Sequence, residues 1–309
     1  MSISKVRVGV VGVGHIGSNH ARLYAEVPSA NFTGVYDVDV ARGNAVGKKF
    51  GATSARSLDE FIGMVDAASV ATPTNTHYEI ARSLLAHGKH ALVEKPITDN
   101  TTHAAELTKL AARNGLILQV GHVERFNPVL SALERHLTHP RFIEAHRLAP
   151  YPGRSTDIGV VLDLMIHDLE VILHFVGSPV QGIDAVGVPV LSHGEDIANA
   201  RLRFENGCVA NVTSSRISPE RMRKIRVFQE DAYLSLDYQN QSGEIYRSVG
   251  GRITRDRVEI EREEPLKRQL TSFIECASTG RQPRVSGFQA TAALELAVEI
   301  TKRIASSSA

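Results

Sequence analysis

Residues 6–17, VRVGVVGVGHIG, limit the folding options of this chain more than any other stretch. Val6–Val11 is an apolar run dense in β-branched residues, the pattern of a strand buried on both faces. From Ile16 the apolar positions Ile16, Ala21, Leu23 and Val27 take helical spacing until Pro28 stops them. The fingerprint Gly12-x-Gly14-x-x-Gly17 therefore falls at a strand-to-helix junction. There the first glycine permits a tight turn, the second lets backbone approach a pyrophosphate, and the third lets the helix pack on the strand. The N–H groups at the helix start, His15 and Ile16 among them, then face the phosphate. Glycines that only turn a tight corner would leave the same letters, so the downstream pattern carries the argument. A second strand, Phe32–Tyr36, ends at Asp37, 20 positions after Gly17, where a carboxylate accepts hydrogen bonds from an adenosine ribose. Asp37, with Asp39 nearby, repels a 2′-phosphate and favours NAD over NADP; Arg42 keeps the second cofactor open.

The alternation continues with helix Ala41–Phe50, a helix from Ser57 whose capping box Glu60 completes, and strand Ala67–Ala71. Helix Thr76–His87, strand His90–Val93, helix Asp99–Asn114 and strand Leu116–Val120 follow. Such alternation requires a parallel sheet covered on both faces: an α/β, doubly wound Rossmann domain over residues 1–121. Its ligands bind beyond the carboxyl ends of the strands. Three unusual stretches lie there: ATPTNTH (71–77), EKP (94–96) and GHVERFNP (121–128).

After Pro128 the texture changes to short alternating runs at Ile143–Leu148, Gln181–Val188, Ile197–Phe204, Cys208–Ser214, Ile225–Gln229, Tyr233–Asp237 and Arg257–Ile260. Asn206-Gly207 between two of them is a hairpin signal. These runs predict a C-terminal α+β domain over residues 122–309 with an open, mainly antiparallel sheet. Helices are expected at Gly159–Phe175 and Ser286–Arg303, the last near the domain junction.

Composition removes several functional classes. With 309 residues, 42% of them hydrophobic, the chain can build two cores. Thirty-five basic against thirty-four acidic residues leave no field to gather nucleic acid or an anionic membrane, so a small molecule is the expected partner. No run approaches the roughly 18 apolar residues of a membrane span. Cys208 and Cys276 are the only cysteines. They are too few for a disulfide scaffold or a sulfur-based zinc site and fit a reducing cytoplasm. No metal is expected.

Taken together and in this order, GVGHIG, ATPTNTHYEIA, VEKP and DLMIHD (163–168) make the chain resemble the Gfo/Idh/MocA oxidoreductase family over nearly its whole length. GHVERFNP and TDIGVVLDLMIHDLE are similar to its bacterial members that oxidise UDP-N-acetylglucosamine at C3 in lipid A diamino-sugar synthesis. The resemblance implies NAD as cofactor, a sugar or nucleotide-sugar substrate, a homodimer or homotetramer, and a catalytic lysine at Lys95. On chemical grounds an ammonium at this strand end can stabilise the alkoxide that forms as hydride leaves the same carbon. Asp163 and His167, four apart on a helix, share a face; the imidazole titrates near neutral pH and can take the hydroxyl proton, with the carboxylate orienting it. Asp168 is assigned to structure or to holding the histidine.

The expected cofactor contacts are Gly12, Gly14, His15, Ile16, Gly17, Asp37, Thr72, Pro73, Asn75, His77, Glu94 and Lys95. The expected substrate contacts are Lys95, His122, Glu124, Arg125, Asn127, Arg154, Asp163 and His167. Arg125, Arg147, Arg154, Arg216, Arg221 and Arg223 fall in or beside predicted loops, where guanidinium groups can grip a diphosphate. Two alternatives stand beside this reading. One is an inositol or simple hexose dehydrogenase; the other is a non-catalytic NAD(P)-binding sensor, which would need no lysine–histidine pair.

Overall fold

The computed structural model describes residues 5–151 and 158–307. In chain order the first elements are β1 (Val6–Val11), α1 (His15–Glu26), β2 (Ala30–Tyr36), α2 (Val40–Phe50), β3 (Thr53–Ser54), α3 (Leu58–Met64) and β4 (Ala67–Val70). Then come α4 (His77–Ala86), β5 (His90–Val93), α5 (Thr101–Arg113), β6 (Leu118–Val120) and α6 (Pro128–Glu134). Next are β7 (Phe142–Leu148), α7 (Ile166–Val176), β8 (Val180–Val188), β9 (Ile197–Phe204), β10 (Val209–Ser215) and β11 (Met222–Phe228). The chain closes with β12 (Ala232–Asp237), β13 (Ser242–Val249), β14 (Arg252–Arg257), α8 (Pro265–Thr279) and α9 (Gly287–Ser307).

Two compact units result. The first comprises Met1–Val123 and Glu264–Thr291, the second Glu124–Glu263 and Ala292–Ala309. The first holds a parallel sheet in the order β3-β2-β1-β4-β5-β6. Its central strands are covered on both faces, which explains their unbroken apolar runs: Val8, Val10, Val35, Ala67 and Leu92 are all fully buried. Ser57 caps α3 by accepting the Glu60 N–H at 3.1 Å, while the Glu60 carboxylate accepts from Arg56 N at 2.7 Å, one residue earlier than in a standard capping box. Helix α8, which the sequence reading did not anticipate, returns to this unit. It adds Leu270, Phe273, Ile274 and Cys276 to the core built by Val8, Val10 and Leu23.

The second unit is built on an eight-stranded sheet, β14-β13-β12-β11-β7-β10-β9-β8, antiparallel except where β7 and β10 run parallel. The Asn206-Gly207 hairpin joins β9 to β10, with Gly207 in the left-handed region at φ 83°. Two expectations need correction. Arg257–Ile260 is not a strand; the edge hairpin is β13–β14, turned by Gly250 and Gly251, both left-handed. Every residue of β14 is exposed, so no apolar alternation marked it. The helix expected over 159–175 is also not uniform: Val161–Met165 forms a π turn, in which Ile166 N reaches back to Val161 O, and regular α-helix starts at Ile166. Such turns recur at functional sites. Among the described residues no helix is long and apolar enough to cross a membrane.

Candidate active site

At the carboxyl edge of the parallel sheet, β1 ends in the glycine turn. Gly12 has φ 81° and its N–H donates to Tyr36 O at 2.8 Å, joining the ends of β1 and β2. A side chain at Gly17 would overlap the Gly12 carbonyl, so helix and turn meet backbone to backbone only because no Cβ intervenes. Gly14, the residue before α1, has open space where a Cβ would stand, and no side chain caps the helix there. The helix start is thus presented to a ligand, with its N–H groups and dipole suited to a phosphate.

Asp37 closes this cleft, and its carboxylate is more committed than spacing suggested. Oδ2 accepts Val13 N and Oδ1 accepts Asp39 N, each at 2.8 Å, with the residue 7% exposed. It therefore pins the glycine turn at the end of β1. Arg42 Nη1 lies 3.6 Å from Asp37 Oδ1, and its Nη2 lies 3.1 Å from Asp39 Oδ2. The cleft, about 540 Å³, is lined among others by Gly12, Gly14, His15, Ile16, Asp37 and Arg42, and on its far wall by Thr72 and Pro73. Val38, Thr76 and Ile80 also line it. Sequence reasoning passed over them because nothing distinguishes them from ordinary loop and helix residues. These residues fit a dinucleotide: an uncapped helix start for phosphate, a carboxylate for ribose, and an apolar wall for adenine.

The remaining cofactor candidates divide. Asn75 is exposed on the turn before α4 and does not line the cleft. His77 is buried, with Nδ1 2.9 Å from Pro96 O and Nε2 2.9 Å from Thr72 O, so it ties the loop after β4 to the loop after β5. Burial holds its pKa below the ordinary value despite those carbonyl contacts. Glu94 is 9% exposed, 3.3 Å from His20 Nε2; a Cβ at Gly121 would collide with its carboxylate. Lys95 follows it, half-buried, and the Lys95–Pro96 peptide is cis. His122 is fully buried.

In the second unit, Asp163 lies in the π turn and His167 in the first turn of α7, both half-buried. The same unit holds a buried ionic network. Arg147 donates Nε and Nη2 to Asp168 at 2.8 and 2.9 Å, and Nη1 to Glu124 at 2.9 Å. The guanidinium holds the Glu124 carboxyl below the usual range against the opposing effect of burial. Asn127 donates to Glu124 at 3.4 Å and to Tyr238 O at 3.1 Å.

This corrects the expectation that the loop arginines are available to phosphates. Arg125, Arg147 and Arg216 are at most 3% exposed, beside Glu170, Asp168 and Asp196 respectively. A guanidinium leaves water only where carboxylates or carbonyls replace it. Arg221 and Arg223 remain exposed, although Arg223 Nη1 is 3.5 Å from Glu124 Oε1. Arg154 lies outside the described residues.

Comparison with known proteins agrees with this geometry. Residues 6–122 match the model of the oxidoreductase family with an NAD-binding Rossmann fold, and residues 134–235 match the GFO/IDH/MocA C-terminal domain. The chain is 34% identical over 302 residues, 96% of each chain, to the UDP-N-acetylglucosamine 3-dehydrogenase of Acidithiobacillus ferrooxidans. The solved structure of that enzyme superposes with a TM-score of 0.93, covering 97% of this chain and 98% of the other. The scyllo-inositol 2-dehydrogenase (NAD(+)) of Bacillus subtilis is 25% identical over 321 residues, 96% of this chain and 93% of its own. Levoglucosan dehydrogenase, solved with NADH, shares the fold at a TM-score of 0.89 and 15% identity, covering 98% of this chain and 97% of its own. With a glycine turn suited to phosphate, a buried carboxylate at the end of β2 and both domain models matched in sequence order, the chain belongs to the Gfo/Idh/MocA family of NAD-binding oxidoreductases.

Proposed function

We propose that this dehydrogenase oxidises C3 of UDP-N-acetylglucosamine, using NAD in preference to NADP. The observation that carries the substrate is the 34% identity over 96% of the chain to an enzyme of that activity, against 25% for the inositol dehydrogenase. The cofactor preference rests on Asp37: a carboxylate already fixed by two backbone N–H groups cannot swing away from a 2′-phosphate. Bound NAD supplies the hydride acceptor. His167 takes the hydroxyl proton, Lys95 polarises the oxygen as negative charge develops on it, and Asp163 orients the imidazole. Glu94 and His77 set the backbone from which Lys95 projects.

A homo-oligomer belongs to the same proposal. Phe142, Phe228, Tyr233 and Tyr246, all half-buried, form a row across β7, β11, β12 and β13 with centroids 5.5, 4.5 and 5.1 Å apart, the first pair tilted and the other two stacked. They give that sheet face an apolar seam suited to a second copy. The two cysteines are free thiols, which fits a cytoplasmic protein.

The test is NAD reduction on a panel of UDP-sugars, free sugars and inositols, with an aminating partner enzyme or carbonyl trap to draw off the ketone. UDP-N-acetylglucosamine should react and free N-acetylglucosamine should not, because the nucleotide supplies the binding energy that positions the ring. Lys95→Met and His167→Ala should each cut turnover at least about a hundredfold with little change in nucleotide affinity. Oxidation of myo-inositol or glucose with silence toward every UDP-sugar would overturn the substrate and leave the dehydrogenase chemistry standing.

A further inference from the structure

Along the π turn and α7, Asp163, His167, Glu170 and His174 follow at spacings of four, three and four residues. On a helix such spacing keeps side chains on one stripe, with neighbouring Cβ atoms about 5–6 Å apart. The stripe begins at half-buried Asp163 and His167 and passes through Glu170, which is 2% exposed. It regains solvent at His174, whose side chain is 35% exposed and whose Nε2 lies 3.5 Å from Glu134 Oε1 on α6. Glu170 is buried on α7 among Ile166, Leu169, Val171 and Ile172, with Asp168 the other buried acid of that helix.

Other buried acids in this unit are gripped. Asp168 receives two hydrogen bonds from Arg147. Asp196 receives the N–H groups of Val190, Leu191 and Ser192 together with Arg216 Nε. Glu170 is not: among the described residues no protein group hydrogen-bonds either of its carboxylate oxygens. Arg125 Nη1 stands 3.7 Å away, outside hydrogen-bond range. The buried phenol of Tyr238 also lies within reach of its charge, and beyond it stand Arg147, Asp168 and Glu124. Burial pushes the Glu170 carboxyl up to about 8, where near neutrality it both holds and yields a proton.

We propose that Glu170 is the relay behind His167, receiving the proton taken from the substrate hydroxyl and delivering it through His174 to solvent. This rests on His167 being the base. The step balances. Hydride carries its electron pair from the sugar carbon to the cofactor, and the hydroxyl proton moves to His167. The imidazolium then returns to neutral by protonating the Glu170 carboxylate. That proton leaves by way of His174, and no further redox partner is involved. Glu170 touches no substrate and acts only through His167.

The experiment is a turnover–pH profile from about pH 6 to 10, in water and in D₂O, for wild type, Glu170→Gln, His174→Gln and His167→Ala. The substrate is UDP-N-acetylglucosamine or, should that be inert, whichever compound of the panel wild type oxidises. Glu170→Gln should lower turnover about tenfold or more, abolish the limb that rises toward pH 8, and enlarge the solvent isotope effect while nucleotide affinity holds. A purely structural role would not move that limb. His174→Gln, at a partly exposed position where folding is not at stake, should make turnover depend severalfold on buffer concentration. A Glu170→Gln enzyme with the wild-type profile, or a His174→Gln enzyme indifferent to buffer, overturns the relay. If His167→Ala retains turnover, the base assignment falls and the relay with it. If His167→Ala is inactive while Glu170→Gln matches wild type, only the relay falls.

Discussion

Replacing Asp37 by Asn should damage both the fold and the cofactor site, and the two losses can be measured apart. Asn keeps the shape of Asp but offers one acceptor oxygen and one NH₂ group. In wild type the two carboxylate oxygens accept Val13 N and Asp39 N, both at 2.8 Å and nearly out of solvent. Whichever way the amide turns, one of those backbone donors faces another donor. Losing a charge-assisted hydrogen bond costs about 1.5–3 kcal/mol, and its companion weakens to a neutral one. The first unit of Asp37→Asn should therefore be less stable by about 2–3 kcal/mol in urea titrations without nucleotide. The ribose loses the same charge assistance, so NADH should bind about 10- to 100-fold more weakly. NADP affinity, freed of repulsion, should hold or rise, which narrows the preference. The chain contains no tryptophan, so enhancement of reduced-nicotinamide fluorescence is the convenient binding signal. Unchanged stability with weakened NADH would show that the carboxylate does not pin the glycine turn. Unchanged affinity would remove Asp37 from the ribose site, and a wild type that prefers NADP would reverse the assignment.

Three other outcomes are expected. Arg147→Met strands Asp168 and Glu124 in the interior and should cost about 3–5 kcal/mol in urea unfolding, partly recovered by adding Asp168→Asn; a loss under about 1 kcal/mol would mean that the network contributes little. Burial raises the Glu170 carboxyl from an ordinary 4.5 to about 8. Its contribution to stability is therefore fully present below the ordinary carboxyl range and is lost as pH rises through about 8, by at most about 5 kcal/mol. Glu170→Gln should flatten that slope when unfolding is compared near pH 5 and pH 9, and parallel curves for the two proteins would refute the raised value. Gly17→Ala forces a methyl into the Gly12 carbonyl and should weaken NADH binding by about tenfold or more, read by the same fluorescence titration.

The first unit was largely legible because its rules are local. A strand buried on both faces must be a continuous apolar run, and the fingerprint glycines, Asp37 and the EKP turn each occupy a strand end that sequence spacing alone locates. In the second unit the alternating strands and the Asn206-Gly207 hairpin were legible for the same reason. The β13–β14 edge was not, because β14 buries nothing and so carries no period. Helix α8 shows a different limit. It went unanticipated, and nothing in Leu270, Phe273 and Ile274 says that they pack with Val8 and Val10, more than 250 positions away.

The sequence by itself determined the strand–helix alternation of residues 6–120, the place of the cofactor cleft and the identity of the chemical groups, since these follow from neighbours along the chain. Only the tertiary structure decided what each charge does. Arg147, read as a phosphate ligand, is committed to Asp168 and Glu124, which lie 21 and 23 residues from it; His77, read as a cofactor contact, joins two loops. Glu170, unremarked in sequence, stands buried without a hydrogen-bond donor among the described residues. A side chain's type sets which interactions it can make, but its solvation and its partner depend on contacts between distant segments, and those exist only once the sheet has brought the segments together.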